Sequence, residues 1–479
     1  MIQLTPDQQK VLCAMKDPAY HRSAFMNAPL YWPQIEAIKL VEKHMASNSG
    51  KVITIRSARQ TMKNECAATI HCRALAKYRK IGGTIVRTAP THKPQIVNSK
   101  LRVEKLAAKD PFLVGRLHKK EGYIFFNENA EVHFLSAQDR SNVEGATASL
   151  LLDIDEAHKI DKGKFEEAFA PMAAWESVPI VMWGVAADKQ DLLFEYREYN
   201  EDNDKTLNLQ YNCDIWCELR PEYAKHVEER VKKLGSDNPY FLTQYKLVDV
   251  EGSAGYLRPH HVESMLTSDH ARAHAPRDGA KYVMVVDVGG EDEDGETMHD
   301  KDGSSHDATV AMIVEVDYTD IVHDYPKFRI AQIHYWVGKQ LGVSPDGEKG
   351  QQELLLDIAN RWRVMKVIVD ARGLGEQLAS YLFKRYHNVE QYKATGESVS
   401  TDLYLFWGLV SNDRVSVWQN DQSDEYQELV RELRHTKYEV FSHDRMKLKK
   451  PPDGGHIDMV KALSYLTRCV QKPFERRTW

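Results

Sequence analysis

The sequence predicts an α/β protein with two domains, and three observations lead to this prediction. The first half of the chain alternates short, continuous apolar segments with helix-like stretches, which is typical of a parallel sheet covered on both faces. The second half opens with three apolar segments in succession, which indicates an antiparallel meander. The length of 479 residues is enough for roughly two to four domains.

The composition is that of a globular protein. Hydrophobic residues make up 42% and charged residues 28% of the chain, which excludes a disordered or collagen-like protein. The formal net charge of −6 excludes a strongly basic, histone-like nucleic-acid binder but not a local basic groove. The N-terminal segment lacks the apolar core of a signal peptide, and no segment approaches about 18 uninterrupted apolar residues. We therefore expect a cytoplasmic protein that does not bind a membrane.

The first domain is predicted to span residues 1–265. A first strand at 51–55 precedes a helix over about 65–79, and further strands follow at 84–86, 131–135, 149–152 and 179–183. The region of about 200–265 is charged and rich in tyrosine, so we expect it to form a small linker subdomain. Residues 266–280 have the composition of a linker.

The second domain is predicted to span residues 281–479. Its strands are expected at 281–288, 308–316, 328–337 and 366–369, and its helices at 351–363, from about 376, and over 457–470. A three-strand meander followed by the three carboxylates described below, on two strands and a helix, matches the plan of an RNase H-like nuclease.

The segment between the first strand and the first helix has the position of a phosphate-binding loop. Backbone N–H groups at such a helix start face phosphate oxygens, and Lys63 would reach the β and γ phosphates. Met62 stands where the usual pattern has glycine, and Asn64 where it has a magnesium-binding hydroxyl. The predicted ATP-binding residues of this loop are Arg59, Gln60, Thr61, Met62, Lys63 and Asn64.

An apolar strand delivers acidic residues downstream of this loop, in the run Asp153-Ile154-Asp155-Glu156. In P-loop ATPases one such Asp binds Mg²⁺ and the next Glu polarises the attacking water. We assign Asp155 to the metal and Glu156 to the base. Asp153, which alternates onto the opposite face of the strand, is the alternative metal ligand, and an N-terminal helix cap is the alternative explanation of the cluster.

Two further features suit an ATPase. Trp32 and Gln34 lie just upstream of the phosphate loop, where the indole could stack on adenine and the amide could bind its amino edge. A helix start with proline in its first turn explains the same residues. Arg140 precedes the acidic strand and is a candidate arginine finger, with an ordinary surface arginine as the alternative.

Three carboxylates in the second half form a second candidate site. Asp287 and Asp370 lie in or at the end of apolar strands, and Asp458 precedes the last helix. A buried Asp is costly unless it is paired or binds a metal, although each one alone also fits a cap or turn. The ordered trio predicts a two-metal site for Mg²⁺, with Mn²⁺ as an alternative, that hydrolyses phosphodiesters.

Charge is unevenly distributed along the second half. Residues 431–479 carry 12 Lys and Arg against 6 Asp and Glu. We expect Arg445, Lys447, Lys449 and Lys450 to contact DNA phosphates, a solvated charged face being the alternative. The loop 291–302 alone carries a net charge of −6, and we interpret it as an acidic flap that competes with DNA.

Taken together, these motifs resemble the large terminase subunit of tailed bacteriophages. The matching pieces occur in family order over nearly the whole chain: Arg59-Gln60, Lys63-Asn64-Glu65, Ala89-Pro90-Thr91, Asp155-Glu156-Ala157, Asp287, Asp370-Ala371-Arg372-Gly373-Leu374-Gly375 and His456-Ile457-Asp458-Met459-Val460. Asn64 is similar to a known family variant, whereas Met62 departs from the family pattern.

The resemblance implies a DNA-packaging motor. Large terminases assemble as a ring, commonly a pentamer, on the portal protein of a procapsid in the host cytoplasm. They pump double-stranded DNA inward using ATP, cut the concatemer, and rely on a small subunit for site recognition. By this resemblance Lys63, Asp155 and Glu156 would drive translocation, while Asp287, Asp370 and Asp458 would cleave DNA.

Two other functions are compatible with parts of the pattern. A cellular helicase–nuclease would need a second RecA-like domain, for which the region 200–280 is too short. A non-catalytic capsid-assembly adaptor with a decayed ATPase fold is supported by Met62 alone, and the intact Asp155-Glu156 pair argues against it.

Overall fold

The computed structural model describes residues 5–138, 146–187, 189, 191–250, 255–268, 270–289, 308–337, 341–343, 347–441, 445–451 and 455–470. Its contacts divide the chain into two compact units. The first unit is Met1–Val227 with Leu242–Val250, and the second is Glu228–Phe241 with Glu251–Trp479. The domain limits at 265 and 281 remain a prediction.

An eight-stranded sheet organises the first unit. Its strands are β1 (Val52–Ser57), β2 (Gly83–Ala89), β3 (His118–Lys120), β4 (Ile124–Asn127), β5 (Ala130–Ser136), β6 (Leu151–Ile154), β7 (Ile180–Gly184) and β8 (Asn208–Tyr211). They lie in the order β3-β4-β5-β2-β6-β7-β1-β8. The run from β5 to β8 is parallel, and only β3 and β4 pair antiparallel at one edge.

Helices pack around this sheet because its central strands are apolar on both faces. The longer helices are α1 (Pro6–Lys16), α2 (Trp32–Ser47), α3 (Lys63–Lys77), α4 (Val97–Ala107), α5 (Leu192–Asn203) and α6 (Cys213–Leu219). A further helix, α7 (Pro221–Leu234), belongs to the first unit up to Val227 and to the second from Glu228. One core cluster joins Val86, Leu152 and Met182 of the central strands to Phe165 and Phe169. Burial of such side chains stabilises the fold by about 1.5–3 kcal/mol each.

A six-stranded sheet organises the second unit. Its strands are β9 (Tyr282–Asp287), β10 (Ala308–Val322), β11 (Tyr325–Val337), β12 (Lys366–Asp370), β13 (Val389–Tyr392) and β14 (Val415–Ser416), in the order β13-β12-β9-β10-β11-β14. The first three strands form the predicted antiparallel meander. β12 then pairs parallel with β9, and β13 pairs parallel with β12.

The remaining elements of the second unit cover this sheet or follow it. They are α8 (Pro259–Leu266), α9 (Gln351–Trp362), α10 (Leu374–Phe383), α11 (Gly396–Ser411), α12 (Asp424–His435), the hairpin β15 (Lys437–Phe441) and β16 (Arg445–Lys449), and α13 (Asp458–Ser464). The core cluster between sheet and helices includes Met284, Ile313, Trp362, Val367 and Leu378.

Close packing explains why residue 375, in the turn that follows β12, is a glycine. A Cβ added at Gly375 would lie 2.1 Å from the carbonyl oxygen of Asp370, so only glycine lets α10 begin this near the strand end. Gly373, which precedes the helix, has a φ of +52°, a left-handed conformation that glycine adopts without steric cost. The run therefore positions Asp370 at a tight strand-to-helix turn.

The two α/β units confirm the predicted fold class. The meander, the parallel strand and the helices of the second half occur in the predicted order. The last predicted helix, 457–470, is shorter as an α-helix and continues from Tyr465 as a 3₁₀ helix. In the described part of the chain, no helix combines the length and the apolar character that a membrane span requires.

Candidate active sites

The predicted phosphate loop lies between β1 and α3 in the first unit. It begins after Ser57, and Lys63 is the first residue of the helix. The Thr61 hydroxyl donates to the Ala58 carbonyl oxygen at 2.6 Å and lies 2.7 Å from the Ser57 hydroxyl oxygen. Gln60 has a φ of +62°, so the chain turns sharply here. These local contacts close the loop at the N-terminus of a helix, where anions are favoured.

The position that usually holds glycine does not require it in this chain. Met62 has φ −126° and ψ −27°, which lies outside the left-handed region that favours glycine. Its side chain is only 2% exposed and therefore contributes to the core.

Arg59, earlier in the loop, is held by two contacts. The Arg59 carbonyl oxygen accepts from the Tyr223 hydroxyl at 2.9 Å, and the Arg59 guanidinium donates to Gln244 Oε1 at 3.3 Å.

Lys63 and Glu156 form an ion pair across the site. The lysine Nζ lies 2.7 Å from Glu156 Oε1, and Glu156 has a left-handed φ of +46° just beyond the carboxyl end of β6. Although burial by itself raises the pKa of Glu156, Lys63, followed by His158 and Lys159, holds this pKa well below its usual value. The carboxyl group is therefore ionised, the form that a base requires.

Asp155 is buried beside a buried arginine. Arg87, from the middle of β2, lies 2.8 Å from Asp155 Oδ2 and also donates to Asn64 Oδ1 at 3.3 Å. Burial raises the pKa of Asp155 and the Glu156 charge adds to the rise, whereas Arg87 opposes it. Arg87 thus joins the predicted metal ligand to the residue that replaces the usual hydroxyl.

Asp153 lies on the other side of the same arginine. Its carboxylate accepts from Arg87 Nη1 at 2.6 Å and from Trp183 Nε1 at 2.8 Å, and lies 2.6 Å from His71 Nε2. All these side chains are buried. With three polar neighbours satisfying its oxygens, Asp153 has the contacts of a structural residue, and the assignment of Asp155 to the metal remains the better prediction.

The remaining predicted ATP-site residues fall into two groups. Trp32 is 50% exposed and lies edge-on to Tyr211, with 5.7 Å between ring centroids. Gln34 is buried and accepts from the Tyr31 backbone N–H at 2.9 Å in a capping box, as the helix-start alternative expects. Contact of either residue with adenine stays a prediction. Arg140 lies outside the described residues, as does the acidic loop 291–302.

The sheet of the second unit brings two predicted carboxylates together. β9 and β12 are parallel neighbours, and Val286 pairs with Val369, so the following residues, Asp287 and Asp370, lie side by side at the carboxyl ends of their strands. The Tyr465 hydroxyl donates to Asp287 Oδ1 at 2.9 Å and lies 3.4 Å from Asp370 Oδ2. Tyr465 therefore links the two carboxylates.

Asp458 enters the site from the first turn of α13. Its Oδ2 accepts from the Ala308 backbone N–H at 3.3 Å, and its Oδ1 accepts from Lys461 Nζ at 3.3 Å. His456 Nδ1 lies 3.6 Å from the same carboxylate. The helix start is anchored by the buried Glu432, whose Oε2 accepts from the N–H groups of Met459 and Val460 at 2.9 and 3.1 Å.

Negative charge is crowded at this site. Burial raises the pKa of Asp287 to about 7, with Lys461 opposing the rise and Asp458 and Asp370 adding to it. Burial also raises the pKa of Glu432 to about 8, with Asp458 contributing. Two cations pair with these carboxylates: the Arg372 guanidinium lies 2.9 Å from Asp370 Oδ2, and Lys461 Nζ lies 3.3 Å from Asp458 Oδ1. The ligand atoms on offer are carboxylate oxygens, which hard divalent cations such as Mg²⁺ prefer. The donor set therefore fits Mg²⁺ or Mn²⁺.

The spacing of these carboxylates bears on how many ions they would hold. Among the described residues, the oxygens of Asp287, Asp370 and Asp458 do not all lie within 4.8 Å of one another. Oxygens bound to one Mg²⁺ at about 2.0–2.1 Å lie within roughly 4.2 Å of each other. As placed, the trio fits ligands distributed over two ions better than three ligands on one ion.

The basic residues ahead of Asp458 lie on a hairpin. Along β16 the exposed residues Arg445, Lys447 and Lys449 alternate with buried Met446 and Leu448, so three cationic side chains lie on one face of the strand. Lys450 follows them and is also exposed. Lys449 Nζ lies 2.7 Å from Glu439 Oε2 on the neighbouring strand.

Among the comparisons with known proteins, the comparison of structures found matches, whereas the two comparisons of sequence did not. No family model matches this sequence, and no curated protein matches it. The crystal structure of the large terminase of a thermophilic bacteriophage matches with a TM-score of 0.55 at 12% identity, covering 92% of this chain and 98% of that one. The ADP complex of the same phage protein gives a TM-score of 0.52, also at 12% identity, covering 92% of this chain and 99% of that one.

The chain has the large-terminase fold. A further structure of the same phage protein, in complex with ATP-gamma-S, matches with a TM-score of 0.50 at 12% identity over 92% of this chain and 99% of that one. Because identity is this low, the likeness establishes the fold. It agrees with the resemblance inferred from the motifs, which pointed to the large-terminase fold without any detectable family match.

Four residues of the two sites were not predicted from the sequence. Arg87 and His71 surround the acidic strand of the first unit, and Tyr465 and Glu432 support the carboxylates of the second. A signal for Arg87 exists, since an arginine in the middle of an apolar strand requires a buried counter-ion. Tyr465 and Glu432 lie in ordinary helical patterns and give no such signal.

Replacement of Arg87 by methionine should destabilise the protein strongly. The change leaves Asp153 and Asp155 buried without their cation, and breaking a buried ion pair in this way costs about 3–5 kcal/mol. Asp153→Asn should destabilise the Arg87→Met variant less than it destabilises wild type, because it removes one of the charges that Arg87→Met leaves unpaired. Urea unfolding of the four proteins measures this, and a loss below about 1 kcal/mol for Arg87→Met would contradict it.

Stability without metal should depend on Asp287 in a defined pH window. The folded protein keeps this proton up to a pKa of about 7, whereas an unfolded Asp loses it near 3.9. Wild type should therefore lose stability relative to Asp287→Asn as the pH rises from about 4 to about 7, and the difference should then level off.

Unfolding midpoints in EDTA between pH 5 and 8 test this dependence. Asp357→Asn is the control, since Asp357 is exposed and pairs with Lys349 at the surface. Mg²⁺ should restore more stability at pH 8 than at pH 5.5, because protons no longer compete with the ion. A pH-independent difference between wild type and Asp287→Asn would show that Asp287 is ionised throughout.

Proposed function

We propose that this chain is a terminase large subunit, which combines an ATP-driven DNA translocase with a metal-dependent endonuclease. The observation that carries the proposal is the Lys63–Glu156 ion pair of 2.7 Å at a phosphate-type loop, on the large-terminase fold. The carboxylate group of the second unit supplies the expected second activity. The activity moves double-stranded viral DNA through a portal into a procapsid and cuts concatemeric DNA.

The first site is suited to hydrolysis of ATP. The loop N–H groups and Lys63 would bind the β and γ phosphates, and this draws Lys63 Nζ away from Glu156. Glu156, already ionised, is then free to orient and deprotonate a water. Mg²⁺, held through Asp155, would neutralise charge on the phosphate oxygens. The ion pair therefore keeps the base occupied until the nucleotide arrives.

Arg87 positions the residues beside which Mg²⁺ is proposed to bind. It holds Asp155 at 2.8 Å and Asn64 at 3.3 Å, so both side chains face the same region in front of α3. Trp32 is proposed to stack on adenine and Gln34 to bind its edge. Arg140 remains the proposed arginine finger.

The second site is suited to phosphodiester hydrolysis. Mg²⁺ or Mn²⁺ ions bound by Asp287, Asp370 and Asp458 would activate water and stabilise the leaving oxygen. Tyr465 keeps the first two carboxylates in register, and Lys461 steadies Asp458. The hairpin face of Arg445, Lys447 and Lys449, with Lys450, would bind DNA phosphates.

The proposed partners follow from the large-terminase assignment. They are the portal protein of the procapsid, a small terminase subunit, and further copies of this chain in a ring, with a pentamer expected. The protein would act in the host cytoplasm and dock on the portal while DNA enters. The complexes of the thermophilic-phage large terminase with ADP and with ATP-gamma-S support ATP as the nucleotide.

The helicase–nuclease alternative receives little support. It requires a second RecA-like sheet, yet β8, the strand described between residues 200 and 280, joins the edge of the first sheet beside β1. The described residues of this region are otherwise helical or irregular. Efficient strand separation by the purified protein would nevertheless revive this alternative.

Two isosteric variants should separate the activities. Glu156→Gln should lower DNA-stimulated ATP hydrolysis by about 10²–10⁴-fold, the usual contribution of a general base, and leave plasmid cleavage intact. Asp370→Asn should abolish cleavage with Mg²⁺ or Mn²⁺ and leave ATP hydrolysis intact. Phosphate release and plasmid nicking measure the two activities.

Matched controls exist for both variants. Glu167→Gln and Asp357→Asn change exposed carboxylates of the same units and should leave both activities at the wild-type level. Retained hydrolysis in Glu156→Gln would remove Glu156 from the role of base. Unchanged cleavage in Asp370→Asn would remove Asp370 from the metal site.

The hairpin makes a separate prediction about DNA affinity. Replacing Arg445, Lys447 and Lys449 by alanine should weaken DNA binding at all sequences and reduce the slope of log K against log salt by about 0.9 per lost phosphate contact. Alanine at the exposed Lys349, Lys384 and Lys393 is the charge-matched control. Equal slopes in the two triple variants would show that the hairpin does not contact DNA.

A further inference from the structure

A third group of polar side chains shares no residue with either candidate active site. Asp237 follows α7, and His260 and His261 lie in the first turn of α8. Asp237 Oδ2 lies 3.5 Å from His260 Nε2 and 3.5 Å from His261 Nε2. One ligand atom from each residue lies within 4.8 Å of the others, and among the described residues only this group of three does so.

These separations are those of ligands around one ion rather than of hydrogen bonds. At 3.5 Å the two contacts are longer than ordinary N–H···O bonds, and Asp237 Oδ2 is buried with no hydrogen-bond partner among the described residues. Ligand atoms bound to a tetrahedral Zn²⁺ at about 2.0–2.1 Å lie roughly 3.3–3.4 Å apart. An ion between the three side chains would satisfy the unpartnered oxygen.

We propose that Asp237, His260 and His261 form a binding site for a divalent transition-metal ion of the Zn²⁺ type. Two imidazoles and one carboxylate are ligands that zinc prefers, whereas Mg²⁺ takes oxygen ligands. The site is therefore selective against the ion expected at the two active sites. The His260 side chain is 67% exposed and that of Asp237 is 31% exposed, which leaves room for water as a fourth ligand.

Surrounding residues hold two of the ligands in place. Trp407 Nε1, from α11, lies 3.4 Å from Asp237 Oδ1, and the Trp407 ring lies edge-on to the nearly buried His261 ring. The Ser411 hydroxyl lies 3.2 Å from His261 Nε2, the atom that would bind the metal, so coordination would replace this contact. The two Trp407 contacts are outer contacts of the kind that orient metal ligands and sustain affinity.

Metal binding has an identifiable cost at His261. The Arg258 backbone N–H lies 3.4 Å from His261 Nδ1, a contact in which Nδ1 accepts. Coordination through Nε2 places the ring proton on Nδ1, so this long contact is given up. Because the bond is weak at that length, the loss reduces the affinity of the site without abolishing it.

The ion would act as a structural cross-link. Residues Glu228–Phe241 belong to the second unit although the chain on both sides of them, up to Val227 and from Leu242 to Val250, belongs to the first. Asp237 lies in this segment, Glu228–Phe241, and the two histidines lie on α8. A bound ion would therefore link the segment Glu228–Phe241 to α8 within the second unit. This inference does not depend on the proposed function.

Cobalt titration of the full-length protein tests the site. Metal-stripped protein in excess Mg²⁺, which occupies the carboxylate sites, should bind one equivalent of Co²⁺ with the visible absorption of a four- or five-coordinate nitrogen and oxygen site. Zn²⁺ should displace the Co²⁺ and raise the unfolding temperature. His260→Ala and Asp237→Asn should each weaken binding at least about tenfold.

The variants were chosen so that folding does not obscure the result. His260 is exposed and Asp237 is half-buried, whereas His261 is buried, and in Asp237→Asn the amide oxygen can still accept from Trp407. His387→Ala removes an exposed histidine outside the group and should bind Co²⁺ as wild type does. Absence of the Co²⁺ absorption in wild type would overturn the proposal, as would equal affinity in wild type, His260→Ala and Asp237→Asn.

Discussion

Burial of carboxylates at the carboxyl ends of parallel strands is the constraint on which both sites depend. A charged group in the protein interior is unstable unless a cation, a proton or a metal ion compensates it. In the first unit Asp153 and Asp155 meet Arg87, and Glu156 meets Lys63. Each of these carboxylates therefore has a cationic partner before any ligand binds, and under the proposed function a nucleotide would take Lys63 from Glu156.

The second unit resolves the same constraint differently. Burial raises the pKa of Asp287 to about 7, and the Tyr465 hydroxyl donates to this carboxyl group, whereas the Arg372 guanidinium pairs with Asp370 at 2.9 Å and Lys461 lies 3.3 Å from Asp458. A proton on Asp287 and the two cations therefore compensate the carboxylates of this site. Both units place Asp at strand ends, but the first compensates its carboxylates with buried cations alone, whereas the second also uses a raised pKa at Asp287.

The sequence predicts this architecture where a residue pattern reports directly on burial. Continuous apolar strands identified the sheets, and Asp287 and Asp370 were recognisable because a carboxylate ends an apolar strand. Arg87 and Asp153 are 66 positions apart, and their pairing depends on the strand order β2-β6, which no local pattern specifies. Tyr465 and Glu432 are likewise brought to the site by long-range packing, and Asp237 meets the histidines of α8 for the same reason.

The same reasoning explains why the motif diverges while the fold persists. Glycine is needed in a phosphate loop only where the backbone is left-handed or closely approached, and Met62 has a negative φ and a buried side chain. Asn64 replaces a hydroxyl but is engaged by Arg87, a partner outside the motif. In this chain the geometry of the loop is therefore met by residues that differ from the usual motif. Because the fold depends on backbone path and burial and not on these particular residues, the chain has the large-terminase fold at 12% identity although no family model matches its sequence.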